Sequence, residues 1–245
     1  MVARLRWVRV AVLAVILGLH PLAGWAACRQ ALLLALDVSG SVDQREYRLQ
    51  LDGLAGALLN PQVVAALNAM PGAPVRLAVM EWSGPNFQRV IVPWRDIDGP
   101  IALQQVVDRL RMARRVQGDF STAIGSALLR AASEMGGQKD CWRRVIDVSG
   151  DGISNTGPQP QSVLSELSGI TVNGLVIGGG VSDGGGQSAE IGALVAYYRA
   201  YVLRGEDAFL ETAHGFADFQ AAMVRKLLRE LQVVAVSNAT KKQTR

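Results

Sequence analysis

Oxygen-bearing side chains recur at alternate positions in Asp37-Val38-Ser39-Gly40-Ser41. On an extended segment alternate residues point to one side, so a carboxylate and two hydroxyls would converge there. These are hard donors, suited to Mg2+ (or Mn2+ or Ca2+) and unsuited to zinc or copper. A second stretch, Asp147-Val148-Ser149-Gly150-Asp151-Gly152, places Asp151 between glycines that let the backbone turn sharply. A third, Gly118 to Gly125, offers Ser121 or Thr122 at the entry to a helix, where the helix N-terminus favours nearby negative charge.

The elements that must position these groups can be read from the apolar pattern. Ala31 to Leu36 (ALLLAL) is a continuous apolar run ending at Asp37, as in a central strand buried on both faces. Ser41 to Leu59 has the helical period, with Tyr47, Leu51, Leu54 and Leu58 on one stripe, and Asn60-Pro61 breaks it. Val75 to Trp82 and Gln88 to Trp94 are strands joined by the turn residues Ser83 to Asn86, with Pro93 marking an edge strand. Helices are expected over Ile101 to Met112, Ala123 to Met135, Pro160 to Leu167, Ile191 to Tyr198 and Phe216 to Leu231. Strands are expected over Arg144 to Ser149, Thr171 to Ile177 and, weakly, Ala200 to Leu203, with a loop over Gly178 to Gly186. This alternation predicts an α/β fold. Its open, mostly parallel sheet has about six strands, one of them an antiparallel edge, and helices on both faces. Such sheets bind ligands at the carboxyl ends of strands, where the strand order reverses.

Of the 245 residues, 49% are apolar and 19% charged, enough for one domain of ordinary size. The first 26 read as a secretory signal peptide: Arg4, Arg6 and Arg9, an apolar run from Val10 to Leu19, then Gly24 and Ala26 around Trp25. The alternative is an uncleaved anchor, but the run is short of the about 20 residues that a spanning helix needs. The mature chain is therefore expected to be exported, periplasmic or secreted, with no membrane insertion after cleavage. The domain is expected over 27–232, followed by a disordered tail over 233–245.

The formal charge of +4 comes from the two ends. Without Arg4, Arg6 and Arg9 there are 22 basic and 21 acidic residues, and without Lys241, Lys242 and Arg245 the body falls to −2. Nucleic-acid binding thereby loses its main electrostatic support.

The motif DVSGS at 37–41, a Thr before a helix at 122 and an Asp in a Gly-rich strand end at 151 resemble the metal-ion-dependent adhesion site (MIDAS) of von Willebrand factor A domains. With Cys28 before the first strand and RRVIDVSGDG at 143–152, the chain is similar to a bacterial family of that fold whose function is unknown. The resemblance implies metal ligands at Asp37, Ser39, Ser41, Thr122 and Asp151, and alignment on Gly118-Asp119 puts Ser121 in the place of Thr122. Asp147 and Ser149 would be structural or stand behind the ligands. Two carboxylates neutralise a dication and leave a position for an exposed Asp or Glu of a partner protein. The implied function is metal-dependent protein binding, without catalytic residues.

The cysteines agree with this topology. Cys28 lies nine residues before Asp37, and Cys141 ten before Asp151. If both Asp residues end neighbouring parallel strands, about 5 Å apart, both Cys residues start them, within the about 7 Å that a disulfide needs. Export favours that bond.

Other chemistry is less well supported. A plain N-cap explains one residue of D-x-S-x-S but not the distant Asp151. Gly178 to Gly186 lacks a phosphate-binding frame. His214 is alone after the leader, so a Ser–His–Asp or Cys–His nucleophile is hard to build. The best enzyme alternative is Mg2+-dependent phosphoryl transfer through Asp37, as in phosphatases of the haloacid dehalogenase type. Those resemble D-x-D-x-[TV], and here Ser39 stands for the second Asp. A structural domain with a degenerate metal site is the third reading.

Overall fold

A strand that is apolar at every position must be covered on both faces and paired on both edges. That strand is β1 (Gln30–Asp37), buried throughout. It lies between β2 (Val75–Trp82) and β4 (Arg144–Gly150) in the sheet order β3-β2-β1-β4-β5-β6. The remaining strands are β3 (Gln88–Ile97), β5 (Thr171–Ile177) and β6 (Leu210–Ala213). All pairs are parallel except the β2–β3 hairpin, so β3 is the antiparallel edge. The structure is a computed structural model that describes residues 28–178 and 186–242. The expected leader and most of the Gly178 to Gly186 loop lie outside the described residues.

Alternation along β1 divides the core. Leu32, Leu34 and Leu36 face α1 (Gln44–Leu58), α2 (Pro61–Leu67), α3 (Pro100–Met112) and α6 (Phe219–Lys242). Ala31, Leu33 and Ala35 face α4 (Ile124–Met135), a 3-10 segment over Pro160–Leu167, and α5 (Gly186–Tyr201). Full burial of each such leucine contributes roughly 2 kcal/mol. Among the described residues, no helix is long and apolar enough to cross a membrane.

Local chemistry moves several boundaries. Helix α1 starts at Gln44, not Ser41, because Asp43 caps it: Glu46 N–H donates to Asp43 Oδ1 at 2.7 Å, and Asp43 N–H to Glu46 Oε2 at 2.8 Å. Ser39 to Ser41 are thereby left outside the helix. Asn60-Pro61, read as a break, also starts α2, with Asn60 accepting from Gln62 N–H at 2.9 Å. The weak strand expected at Ala200 to Leu203 is wrong. Leu194, Tyr198 and Val202 form a buried i, i+4, i+8 stripe that carries α5 to Tyr201, and the sixth strand is Leu210–Ala213. The tail expected to be disordered from 233 continues α6 as far as Lys242. Residues 233–242 contain no Pro or Gly to stop the helix.

Cys28 and Cys141 form a disulfide, with Cα atoms 4.3 Å apart. They lie just before β1 and β4, and Trp142 N–H donates to Cys28 C=O at 2.9 Å. Closing a loop of this length contributes about 4–5 kcal/mol in the chain-entropy account.

Candidate metal site

Strand order reverses at β1: the chain leaves it for β2 on one side and later returns to β4 on the other. Leu36 is level with Ser149, so Asp37 and Gly150 end adjacent strands. Ser39 N–H donates to Asp37 Oδ1 at 2.8 Å, turning the chain immediately after the strand. Ser39 Oγ then lies 3.2 Å from Ser41 Oγ, and the Ser41 hydroxyl donates to Asp151 Oδ1 at 2.7 Å. Asp37, Ser39, Ser41 and Asp151 are thus brought to one point. Asp37 and Ser39 are buried, Asp151 is half-buried and Ser41 is exposed, so the cluster opens to solvent on one side.

The loop before α4 closes over this point. Gly40 N–H donates to Phe120 C=O at 3.0 Å, and a Cβ on Gly40 would meet the Phe120 side chain at 2.9 Å, so glycine permits the approach. Thr122 is buried and clamped by the segment after Asp151. Its N–H donates to Asn155 Oδ1, and its C=O accepts from Asn155 N–H, both at 2.9 Å. The Thr122 hydroxyl faces Gly152, 3.8 Å from where a Cβ would stand. Ser121 N–H donates to Asp119 Oδ1 at 3.0 Å, and the Ser121 backbone and side chain hold that exposed carboxyl below its ordinary value.

Burial, first, and the charge of Asp151, second, push Asp37 up to about 7 from an ordinary 3.8. Burial likewise raises Asp151. Asp37 Oδ2 is enclosed with no hydrogen-bond partner. The phenol of Tyr198, on α5, is also buried and unpartnered, and a Cβ on Gly150 would lie 2.5 Å from its oxygen and 3.0 Å from Asp37 Oδ2. A buried and a half-buried carboxylate that repel each other, one with an orphaned oxygen, suit a cation. Among the described residues no three His, Cys, Asp or Glu side chains gather to hold a metal ion, and what the cluster offers is two carboxylates plus hydroxyls.

The family described as protein of unknown function (DUF1194) matches residues 27–235. The chain belongs to this family. Solved structures that resemble this DUF1194 chain include proximal thread matrix protein 1 of the mussel byssus with zinc in its MIDAS motif (TM-score 0.58, 18% identity, 84% of this chain and 48% of that one). The pilus adhesin SpaC of Lactobacillus rhamnosus GG in its open conformation has a TM-score of 0.54 at 14% identity over 84% of this chain and 30% of its own. A von Willebrand factor type A protein of Catenulispora acidiphila has 0.52 at 14% identity over 83% and 42%. The chain spans less than half the length of each. At these identities the likeness is one of fold, and that fold is von Willebrand factor A-like. No curated protein matches in sequence.

In this DUF1194 chain Asp147 and Ser149, expected to be structural or to stand behind the ligands, lie on β4 below the cluster. With Val145, Asp147 faces α6, where fully buried Lys226 Nζ lies 3.0 Å from Asp147 Oδ1 and 3.2 Å from Glu230 Oε1. The Asp147 contact is an ion pair off the hydrogen-bonding direction, so neither of its oxygens has a directional donor. Burial raises Asp147 in spite of the lysine. Asn173 donates to Glu230 Oε1 at 2.8 Å and accepts from Phe209 N–H at 3.0 Å, while Lys226 lies over the Phe209 ring at 4.5 Å. Ser149 donates to Ala35 C=O at 3.3 Å, tying β4 to β1. Sequence reasoning missed Asn155, Tyr198 and Lys226. Only Tyr198 carried a signal, as a polar aromatic on an apolar helical stripe.

Proposed function

We propose that this chain is an exported protein-binding module of the adhesion type. It holds a divalent cation on Asp37, Ser39, Ser41, Thr122 and Asp151 and recognises an acidic residue of a partner protein. The observation that carries the reading is the Ser39–Ser41–Asp151 chain of contacts, 3.2 and 2.7 Å long, beside the orphaned Asp37 Oδ2. A dication bound there supplies the positive charge that draws a carboxylate. The protein's residues supply the frame: Ser39 N–H fixes Asp37, Asn155 fixes Thr122, and Gly40 lets Phe120 cover one side. Export rests on the leader-like start and on the disulfide, a bond of oxidising compartments.

Phosphoryl transfer through Asp37 is the weaker reading. A nucleophilic carboxylate must reach substrate, whereas Asp37 is fully buried, with one oxygen engaged by Ser39 N–H. A degenerate structural site is the other alternative, and metal titration separates it. All donors are oxygen, which suits Mg2+, Mn2+ or Ca2+. The mussel protein was solved with zinc in its motif, so Zn2+ belongs in the series. After EDTA treatment, at least one of these ions should raise the melting temperature of the native chain and leave that of Asp151→Ala unchanged. No rise with any of the four would end the proposal.

A further inference from the structure

One border of the candidate site is lined with arginine. Helix α3 ends at Met112, and the chain then returns toward the site through Arg114 and Arg115. Arg115 donates to Ser39 C=O at 3.2 Å. Arg111 and Arg114 are exposed and have no ion pair or side-chain hydrogen bond among the described residues. A cleft of about 370 Å³ runs from Ser39 and Gly40 past Phe120 to Arg115. It shares Gln44 and Arg115 with a groove of about 830 Å³ between α1 and the end of α3, lined by Arg48, Arg111 and Arg114. The two form one trough leading away from the candidate ligands. Asp52 in the groove is already paired with Arg48. The cleft's two acids are engaged by backbone, Asp43 by Glu46 N–H and Asp119 by Ser121 N–H, and the unpaired arginines lie at the groove end, away from them.

A solvated charge run is the ordinary explanation for surface arginines, and Arg109 and Arg111 do complement the C-terminus of α3. Arg114 and Arg115 lie past that helix and have no such role. The body of the chain is slightly acidic, so the cluster is local and not a consequence of composition. It is also interleaved with exposed apolar side chains: Met112 is 70% exposed, Val116 45% and Phe120 73%. Arg, Met and aromatic residues together are the composition of binding surfaces, not of a solvated face.

We propose that this trough docks a run of Asp and Glu residues adjoining the carboxylate that the cation captures, so that the partner presents an extended acidic segment. The inference rests on the cation-dependent capture proposed above. From Gln44 to Asp52 the groove follows α1 for about 12 Å, the length of about four extended residues.

Two peptides immobilised at equal density would test this: one with a single Asp among Gly and Ser, the other with an Asp followed and preceded by three Glu. The full native chain is flowed over both in Mg2+ and in EDTA. The acidic-run peptide should bind about fivefold more tightly in Mg2+, the effect of two or three exposed ion pairs. Arg111→Gln/Arg114→Gln should remove that advantage and keep the Mg2+-dependent rise in melting temperature. Raising salt from about 50 to 300 mM should erode the same advantage. Equal binding of the two peptides, or an advantage that survives the double substitution, overturns the trough. So does preferential binding to vesicles of anionic lipid, which would make the partner a membrane. Arginine-dependent binding that is identical in EDTA keeps the trough and refutes the metal reading. A melting rise in Mg2+ with no binding of either peptide refutes the acidic partner and the trough together.

Discussion

Replacing Asp37 by Asn should have opposite effects without and with metal. Asp37 is fully buried, Oδ2 has no donor, and Asp151 repels it. Its folded value of about 7, against an ordinary 3.8, means that the ionised form is disfavoured by up to ~4 kcal/mol, at about 1.4 kcal/mol per pH unit. Because the folded value lies above the unfolded one, the penalty is absent below pH ~4 and grows as pH rises through about 7. Metal-free native protein should therefore lose stability over that window, by less than this upper bound. Asp37→Asn keeps the shape and removes the charge, so in EDTA at pH 7.5 it should be more stable than the native chain by about 1–3 kcal/mol, with a flatter pH profile. In Mg2+ the order should reverse. Saturation at a hundredfold excess over Kd contributes about 2.7 kcal/mol, or about 5–10 °C for a domain of this size, and the variant lacks the carboxylate needed to gain it. Urea unfolding at pH 5 and 7.5, each with EDTA and with Mg2+, measures all four states. Destabilisation of Asp37→Asn in EDTA would refute the repulsion, and an undiminished Mg2+ effect would refute the assignment of Asp37 as a ligand.

The cluster under α6 and the disulfide give two further expectations. Lys226→Met leaves Asp147 and Glu230 buried without their cation, and should cost about 3–5 kcal/mol in urea unfolding. Because burial already raises Asp147, that loss should be smaller at pH 5 than at pH 8, and a loss below about 1 kcal/mol at pH 8 would show that the cluster is solvated. Cys28→Ala/Cys141→Ala should lower stability by about 4 kcal/mol, and a fall in melting temperature of under about 2 °C would mean that the bond adds nothing to the β1–β4 pairing.

Most of the fold was legible because the sheet is central and buried on both faces. The runs ALLLAL and VRLAVMEW have no solvent face, and Asp37 marks where β1 must end. The convergence of Ser41 with Asp151 followed from the adjacency of β1 and β4, which the cysteine spacing also required. What could not be read depended on tertiary neighbours. The stripe of Tyr198 and Val202 has a helical period, but Gly-rich sequence before it and the apolar AYVL read as a short strand. Lys226 looks like a solvent-facing residue of an amphipathic helix. Its burial depends on Asp147 of β4, Asn173 of β5 and Phe209 just before β6, and no local pattern records that. Asn155 is a loop residue whose role appears only when the loop before α4 lies against it.

Strand β4 connects the two polar clusters. Lys226 grips Asp147 in mid-strand, and four residues later Asp151 meets Ser41, about 13 Å away at the rise of a parallel strand. A slide of α6 by one turn, about 5.4 Å, would carry Lys226 out of contact and leave Asp147 buried and unpaired, at a cost of several kcal/mol. Asn173 and Phe209 hold the far side of the same lysine and its neighbour Glu230. Under the proposed function, partner capture at the top of the sheet would have to supply that energy to move α6, so a receptor of fixed geometry is the expectation. The Lys226→Met variant distinguishes a clamp from a positioning device. As a clamp alone, the lysine affects unfolding while the Mg2+-dependent rise in melting temperature stays at its native size. A rise that vanishes with the lysine would mean that α6, acting through Asp147, sets the position of Asp151.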